Sequence, residues 1–217
     1  MNTRDQATQA DNRIGLPVFG ISLIALPPGH IRDRLSEIQD LIEASSPEEG
    51  LYRCPAATLH LSVFHFVWAR SPHAARGPAE WDKCKARVLE SIAAVTSSAP
   101  PFAPGRGAVH AGDAAIYLKF DASPALERLR DSLGGIATPL LSCASRPAIQ
   151  HISLFRYRRS VAMRAVDAAC AGLAPFSGDW EVGALQLVQE NVYPAIDLRL
   201  IGEFFLGPNP NPRGREA

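Results

Sequence analysis

The chain has 217 residues, 47% hydrophobic and 20% charged, the make-up of a globular protein large enough to bury a substantial core. Lysine plus arginine and aspartate plus glutamate number 22 each, so no overall field recruits nucleic acid; an anionic ligand has to be met by a local cluster of cations. The four cysteines, Cys54, Cys84, Cys143 and Cys170, have no Cys-x-x-Cys spacing, which argues against a zinc knot or a disulfide frame and for buried free thiols in a reducing compartment.

Residues 1–16 are polar, carry both charge signs and lack the apolar core of a signal peptide, and no later run is long enough to span a membrane. The expectation is a cytoplasmic protein that begins with an extended or disordered segment. From Pro17 to Leu26 a β-branched apolar run reads as a buried strand, broken by Pro27-Pro28-Gly29. A helix follows from about Ile31 to Ala44, with Ile31, Leu35, Ile38, Leu41 and Ile42 as its apolar stripe. The loop from Ser45 to Gly50 leads through Leu51–Pro55 into a strand at about Thr58–Trp68. After an Arg-, Pro- and Gly-rich connector over 69–78, a second helix spans about Ala79–Thr96. Gly112-Asp113 marks a hairpin turn before a strand at Ala115–Phe120. Ser123 caps a third helix with Pro124 in its first turn, and Leu126, Leu129 and Leu133 form its apolar face. A strand at Ile149–Tyr157, a helix at Val161–Leu173 and two long strands, at Trp180–Gln189 and Ala195–Phe205, close the pattern. The tail from Gly207, rich in Pro and Asn, is expected to fray.

Two of these strands carry one pattern: His60-Leu-Ser62-Val-Phe64 and His151-Ile-Ser153-Leu-Phe155. Of the six histidines only these two have a hydroxyl residue two places on. Alternation along a strand sets His60, Ser62 and Phe64 on one face and Leu61 and Val63 on the other, and the second copy repeats the arrangement. The surrounding elements form a loose internal repeat in which strands pair locally. The fold class this implies is α+β, with two-lobed, pseudo-symmetric antiparallel sheets flanked by helices and a central cleft. The corresponding division is a leading segment 1–16, one two-lobed catalytic domain 17–206 and a flexible tail 207–217.

Imidazole titrates near neutrality, so two of them supply both a proton acceptor and a proton donor for polar chemistry on an anionic group. A hydroxyl beside each is placed to donate to the oxygens of such a group. Phe64 and Phe155, on the same faces, either stack on a base or ribose or pack at the cleft floor. Between Ser145 and Val166 lie Arg146, Arg156, Arg158, Arg159 and Arg164 without an acidic residue, a cationic stretch that is either a phosphate patch or a solvated turn. Arg156 is the best phosphate candidate, although uninterrupted alternation puts it off the His151 face. No carboxylate cluster or third motif histidine suggests a metal site, and none is expected.

From about Pro17 to Leu206 the paired motifs and their flanking strands resemble the 2H phosphoesterase superfamily, which includes RNA 2′,3′-cyclic phosphodiesterases often called 2′–5′ RNA ligases. The match includes Arg156, five places after His151, and Arg53, seven before His60, where relatives often carry Arg. Serine replaces the usual threonine at 62 and 153, as in the RNA-trimming branch. The resemblance implies a metal-independent phosphodiesterase without a cofactor, acting on 2′,3′-cyclic phosphates of RNA ends or small nucleotides. His60 and His151 would be its acid and base, and Ser62 and Ser153 would hold the phosphate. No membrane and no obligate protein partner is implied. Reversible 2′–5′ joining and trimming of an RNA 3′ end are alternatives within the family. A non-catalytic nucleotide- or RNA-binding module, which has no need of two proton carriers, is the alternative of another class.

Overall fold

The computed structural model describes residues 7–46, 50–177 and 180–207. The first six residues of the expected leading segment, residues 47–49 of the expected loop, and the tail beyond Gly207 lie outside the described residues. The described strands are β1 (Pro17–Ala25), β2 (Leu51–Arg53), β3 (Leu61–Val67), β4 (Arg106–Ala111), β5 (Ala115–Phe120), β6 (His151–Tyr157), β7 (Phe176–Ser177), β8 (Ala184–Val192) and β9 (Asp197–Phe205). The helices are α1 (Gly29–Ser45), α2 (Gly77–Ser98), α3 (Pro124–Ala137) and α4 (Met163–Cys170). The class is α+β, a large antiparallel sheet flanked by helices.

Strand order is β7-β4-β5-β6-β3-β1-β8-β9, so the two motif strands sit side by side in the middle. They share one residue pair, Leu61 with Ile152. Beyond it β3 and β6 diverge, and β2 takes over that edge of β6, from Leu51 opposite Tyr157 to Arg53 opposite Phe155. The sequence suggests two sheets; the pairing joins them into one path at this single point, and the splay opens the cleft. Helices α1 and α4 pack on the β4–β6 half, and α2 and α3 on the β3-β1-β8-β9 half. Between sheet and helices lies a continuous apolar core that includes Leu23, Val63, Phe66, Leu118, Ile152 and Leu154, all fully buried.

Both motif strands carry a bulge at the same place in the pattern. Against β1 the register jumps from Leu23 opposite Phe64 to Ile24 opposite Ser62, leaving Val63 as the extra residue. Against β5 it jumps from Ile116 opposite Phe155 to Tyr117 opposite Ser153, leaving Leu154 extra. A bulge reverses the alternation beyond it. After Ser62 the next residue on the cleft side is therefore His65, and after Ser153 it is Arg156.

Each bulge is pinned from the helix layer by a buried polar side chain. Arg130 of α3 is 1% exposed; its Nε donates to the Val63 carbonyl at 3.1 Å, and Nη2 donates to Ser62 O at 2.9 Å and Ile149 O at 3.4 Å. Gln39 of α1 is fully buried and donates from Nε2 to Leu154 O and to Cys54 O, both at 2.9 Å. Gln39 thus takes the inward position that the apolar stripe assigns to Leu41, which is 56% exposed.

The segment before β1 ties the two halves together. Thr8 and Asp11 donate backbone N–H groups to Val161 and Tyr157 of one half. The Tyr193 hydroxyl, from the β8–β9 turn of the other, donates to the Asp11 carboxylate at 2.6 Å. Burial pushes the Asp11 carboxyl up, but the bonds from Tyr193 and Arg13 outweigh it and hold the group below its ordinary value.

Candidate active site

Where β3 and β6 separate, a cleft of about 410 Å³ opens between the halves. His60 and Ser62 flank Leu61 of this pair, His151 and Ser153 flank Ile152, and all four side chains line the cleft. The bulges add His65 and Arg156 to the same lining. Trp68 and Arg70 stand at the wall after β3, with the guanidinium 5.9 Å from the indole centre, and Glu190 and Tyr193 line the side formed by the β8–β9 turn.

The two motif histidines are anchored alike. His60 Nδ1 lies 2.8 Å from the Thr58 carbonyl, which only accepts, so Nδ1 carries the proton and the neutral ring keeps a lone pair at Nε2. His151 Nδ1 has the corresponding bond to Ile149 O at 3.4 Å. Burial lowers the pKa of His60 against the help of the Thr58 carbonyl, and Arg156 lowers it further. His151 is brought down to about 4 by burial, with Arg156, His60 and Arg130 adding to the effect and the Ile149 carbonyl opposing it. Both shifts favour the neutral ring in the free protein.

His65 is a third imidazole in the cleft. Its Nδ1 pairs with the Ser22 hydroxyl at 2.9 Å, and burial, helped by His60, His151 and Arg130, lowers it to about 3. Arg156 donates from Nη2 to Ser153 Oγ at 3.2 Å and lies 5.9 Å from the Tyr193 ring centre, while its Nε has no partner. This leaves guanidinium donors for an anion beside both motifs. The Glu190 carboxyl is raised by burial, opposed by the Ala195 N–H it accepts at 2.6 Å and by Arg156 and Arg13. Gly20 on β1 makes room for it, since a Cβ there would stand 3.1 Å from Glu190 Oε2.

Of the residues singled out from the sequence, His60, Ser62, His151, Ser153 and Arg156 come together in the cleft. Phe64 and Phe155 do not. They are 1% and 0% exposed in the core because the bulges turn them inward, which excludes stacking on substrate. Arg53 is also elsewhere: it is held by Asp40 and Glu43 of α1, the latter at 2.8 Å, and by the Ser36 carbonyl. Of the Arg-rich stretch, Arg146 reaches the lining but is paired with Glu127 and Asp131, and Arg158 lies over the Tyr52 ring. Sequence reasoning missed His65, Glu190 and Tyr193. The signal for His65 was present, since it stands five places after His60 as Arg156 does after His151. Among the described residues no three His, Cys, Asp or Glu side chains are grouped to hold a metal ion, and no helix is long and apolar enough to cross a membrane.

The fold is the one seen in solved structures of a phosphoesterase, of LigT and of TT0787. The chain is similar to a crystal structure of a phosphoesterase at 15% identity and TM-score 0.63, covering 87% of this chain and 99% of that one. Against Escherichia coli LigT bound to 3′-AMP the identity is 17% and the TM-score 0.60, over 87% and 98% of the two chains. Thermus thermophilus TT0787 gives 18% and 0.59, over 86% and 97%. LigT has also been crystallised with NADP+, with ATP and with phosphate. No protein-family model matches the sequence, and no curated protein matches it.

Proposed function

We propose that the cleft is a phosphoesterase centre that opens 2′,3′-cyclic phosphates, with His60 and His151 as proton acceptor and proton donor. The observation that carries this reading is the Leu61–Ile152 pair, which sets two histidine–serine couples against each other across one cleft. One imidazole takes a proton from water at Nε2 while the other delivers a proton to the departing 2′ or 3′ oxygen, so both transfers are met by side chains of the chain itself. A bound phosphate raises the pKa of both imidazoles and lets one hold the proton it must give. Ser62, Ser153 and Arg156 surround the place where the non-bridging oxygens would lie and supply donors as charge grows there. Similarity to a phosphoesterase and to a LigT crystallised with 3′-AMP and with phosphate supports this chemistry.

Incubation with 2′,3′-cyclic nucleotides and with an oligoribonucleotide ending in a cyclic phosphate, in the presence of chelator and with chromatographic identification of products, tests the proposal. A 2′- or 3′-monophosphate as sole product is expected. Tight binding of nucleotides without turnover would replace the enzyme with a binding module, and joined or shortened RNA would replace hydrolysis with ligation or trimming.

A further inference from the structure

Among the described residues three imidazoles line the cleft, and the group behind His65 differs in kind from those behind His60 and His151. His60 and His151 back onto the Thr58 and Ile149 carbonyls. A carbonyl only accepts, so it fixes the proton on Nδ1 and leaves Nε2 as an acceptor. Behind His65 stands a hydroxyl instead. Ser22 of β1 lies directly opposite His65 in the sheet, and its Oγ meets Nδ1 at 2.9 Å. Among the described residues that hydroxyl has no other partner, so it places its own proton only if Nδ1 of His65 presents the lone pair. The proton of the ring then sits on Nε2. With Nδ1 held by β1, the opposite edge of the ring is turned away from β1 into the cleft. Nε2 has no protein partner among the described residues and is not one of the sealed polar atoms without one, which are Gln39 Oε1, Ser46 Oγ and Arg156 Nε. The backbone of His65 is fixed as well, donating to Ser145 O at 3.0 Å and accepting from Ser145 N–H at 2.8 Å.

We infer that His65 is a third catalytic histidine of a different kind, a neutral imidazole that donates from Nε2 to an oxygen of the reacting phosphate and keeps its own proton throughout. The inference rests on the reading of the cleft as a phosphodiesterase centre. A fixed donor of this sort stabilises charge as it grows on the phosphate, and it acts most strongly where it is in place before the substrate arrives. The bulge that Arg130 holds and the paired bonds to Ser145 put it in place. Such a donor must also stay neutral, so that it does not compete with His60 and His151 for the proton the reaction moves. Burial brings His65 down to about 3, and the groups that face it add to this: His60 from the stretch before β3, His151 from β6 and Arg130 from α3. Among the described lining residues the one carboxylate is Glu190 of β8, which accepts from the Ala195 N–H, while Arg70, Arg146 and Arg156 bring only positive charge. Two imidazoles thus offer lone pairs to the cleft and the third offers an N–H.

The test combines imidazole nitrogen NMR of the wild type with kinetics of His65→Phe and His65→Gln on a 2′,3′-cyclic mononucleotide. The spectrum is expected to show the proton of His65 on Nε2 and those of His60 and His151 on Nδ1, with the His65 N–H resonance moving downfield as inorganic phosphate saturates the cleft. Phenylalanine keeps a ring of similar size without the donor, and should lower kcat by about 10–10³-fold. Both limbs of the pH profile should stay in place in that variant, because the lost group does not titrate in the working range. Glutamine can accept from Ser22 at Oε1 and donate to the substrate from Nε2, so it should restore most of the lost turnover. Thermal melts show which variants fold, and the spectra need no variant at all. The inference is overturned by a proton on Nδ1 of His65, by a resonance that phosphate saturation leaves unmoved, or by a loss under about tenfold in a folded His65→Phe. It is equally overturned if that variant loses a limb of its pH profile, or if a folded His65→Gln is as slow as His65→Phe. Because the tautomer and its response to phosphate are read without turnover, the expected spectra with no cleavage of the cyclic substrate would strike only at the proposed chemistry.

Discussion

Replacing Arg130 with methionine removes the buried donor that pins the first motif's bulge, and the size of the loss follows from its contacts. The side chain is 1% exposed and sends well-formed bonds to the carbonyls of Val63 and Ser62, at 3.1 and 2.9 Å, with a longer third to Ile149. Its ion-pair partner Glu127 is 33% exposed and keeps Arg146, so that end of the interaction is replaced by water and a second cation at small cost. The two carbonyls near the bulge lose a donor, and a buried acceptor left without one costs about 1–3 kcal/mol. Methionine fills similar volume and relieves the burial of a charge, which offsets part of the loss. A net destabilisation of about 3 kcal/mol remains, which at about 2–4 °C per kcal/mol for a chain of this size lowers Tm by about 6–12 °C. Urea titration should show a lower midpoint with an unchanged slope. Turnover measured well below the new Tm should also fall, because His65, which shares the cleft with the motif histidines, owes its direction to the bulge. Arg130→Lys, which keeps the charge but cannot span three carbonyls, should fall between the two. A loss under about 1 kcal/mol with full turnover would show that the bulge stands without the arginine and would refute the reasoning.

Two further outcomes follow from the cleft. Both motif imidazoles are pushed below their ordinary value of 6.5, so the pair holding a single proton is most populated on the acid side of pH 6.5. The plot of kcat/KM against pH should therefore be a bell centred below 6.5, with kcat peaking at higher pH because bound phosphate favours the imidazolium; a kcat/KM plateau reaching pH 8 or beyond would contradict this. Ser62→Ala and Ser153→Ala should each cost about 10–10³-fold in kcat with little change in Tm, as expected for loss of one oxyanion donor, and a pure KM effect in steady-state kinetics would assign these hydroxyls to ground-state binding instead.

The order of elements and the doubled motif were legible in the sequence because periodicity and turn chemistry are local. The third helix starts where Ser123 and Pro124 place it, with Ser123 accepting from the Leu126 N–H, and runs through Gly134-Gly135 to Ala137. What failed was parity. Alternation assumes an uninterrupted strand, and the extra residues Val63 and Leu154 exchange Phe64 and Phe155 for His65 and Arg156 on the cleft side. A bulge leaves no residue signature when its donor comes from a helix distant in sequence. A trace existed nevertheless. Arg130 lies four places after Leu126 and three before Leu133, and Gln39 four after Leu35 and three before Ile42, so both polar residues fall inside their helices' apolar stripes. Arg53 was misread for a different reason. Its cationic side chain found two acidic residues on α1, a long-range pairing that spacing in the chain does not reveal. The tie between Asp11 and Tyr193 joins residues at opposite ends of the chain and was equally out of reach.

The account's central claim is that His60 and His151 together transfer both protons. It is tested most directly by turnover of a 2′,3′-cyclic phosphate, with chelator present, in wild type, His60→Ala and His151→Ala, alongside circular dichroism of each variant. Each substitution is expected to lower kcat by about 10²–10⁴-fold in a folded protein, since each deletes one proton-transfer step. Wild-type turnover in either variant, or activity that returns only on adding a metal ion, would contradict it.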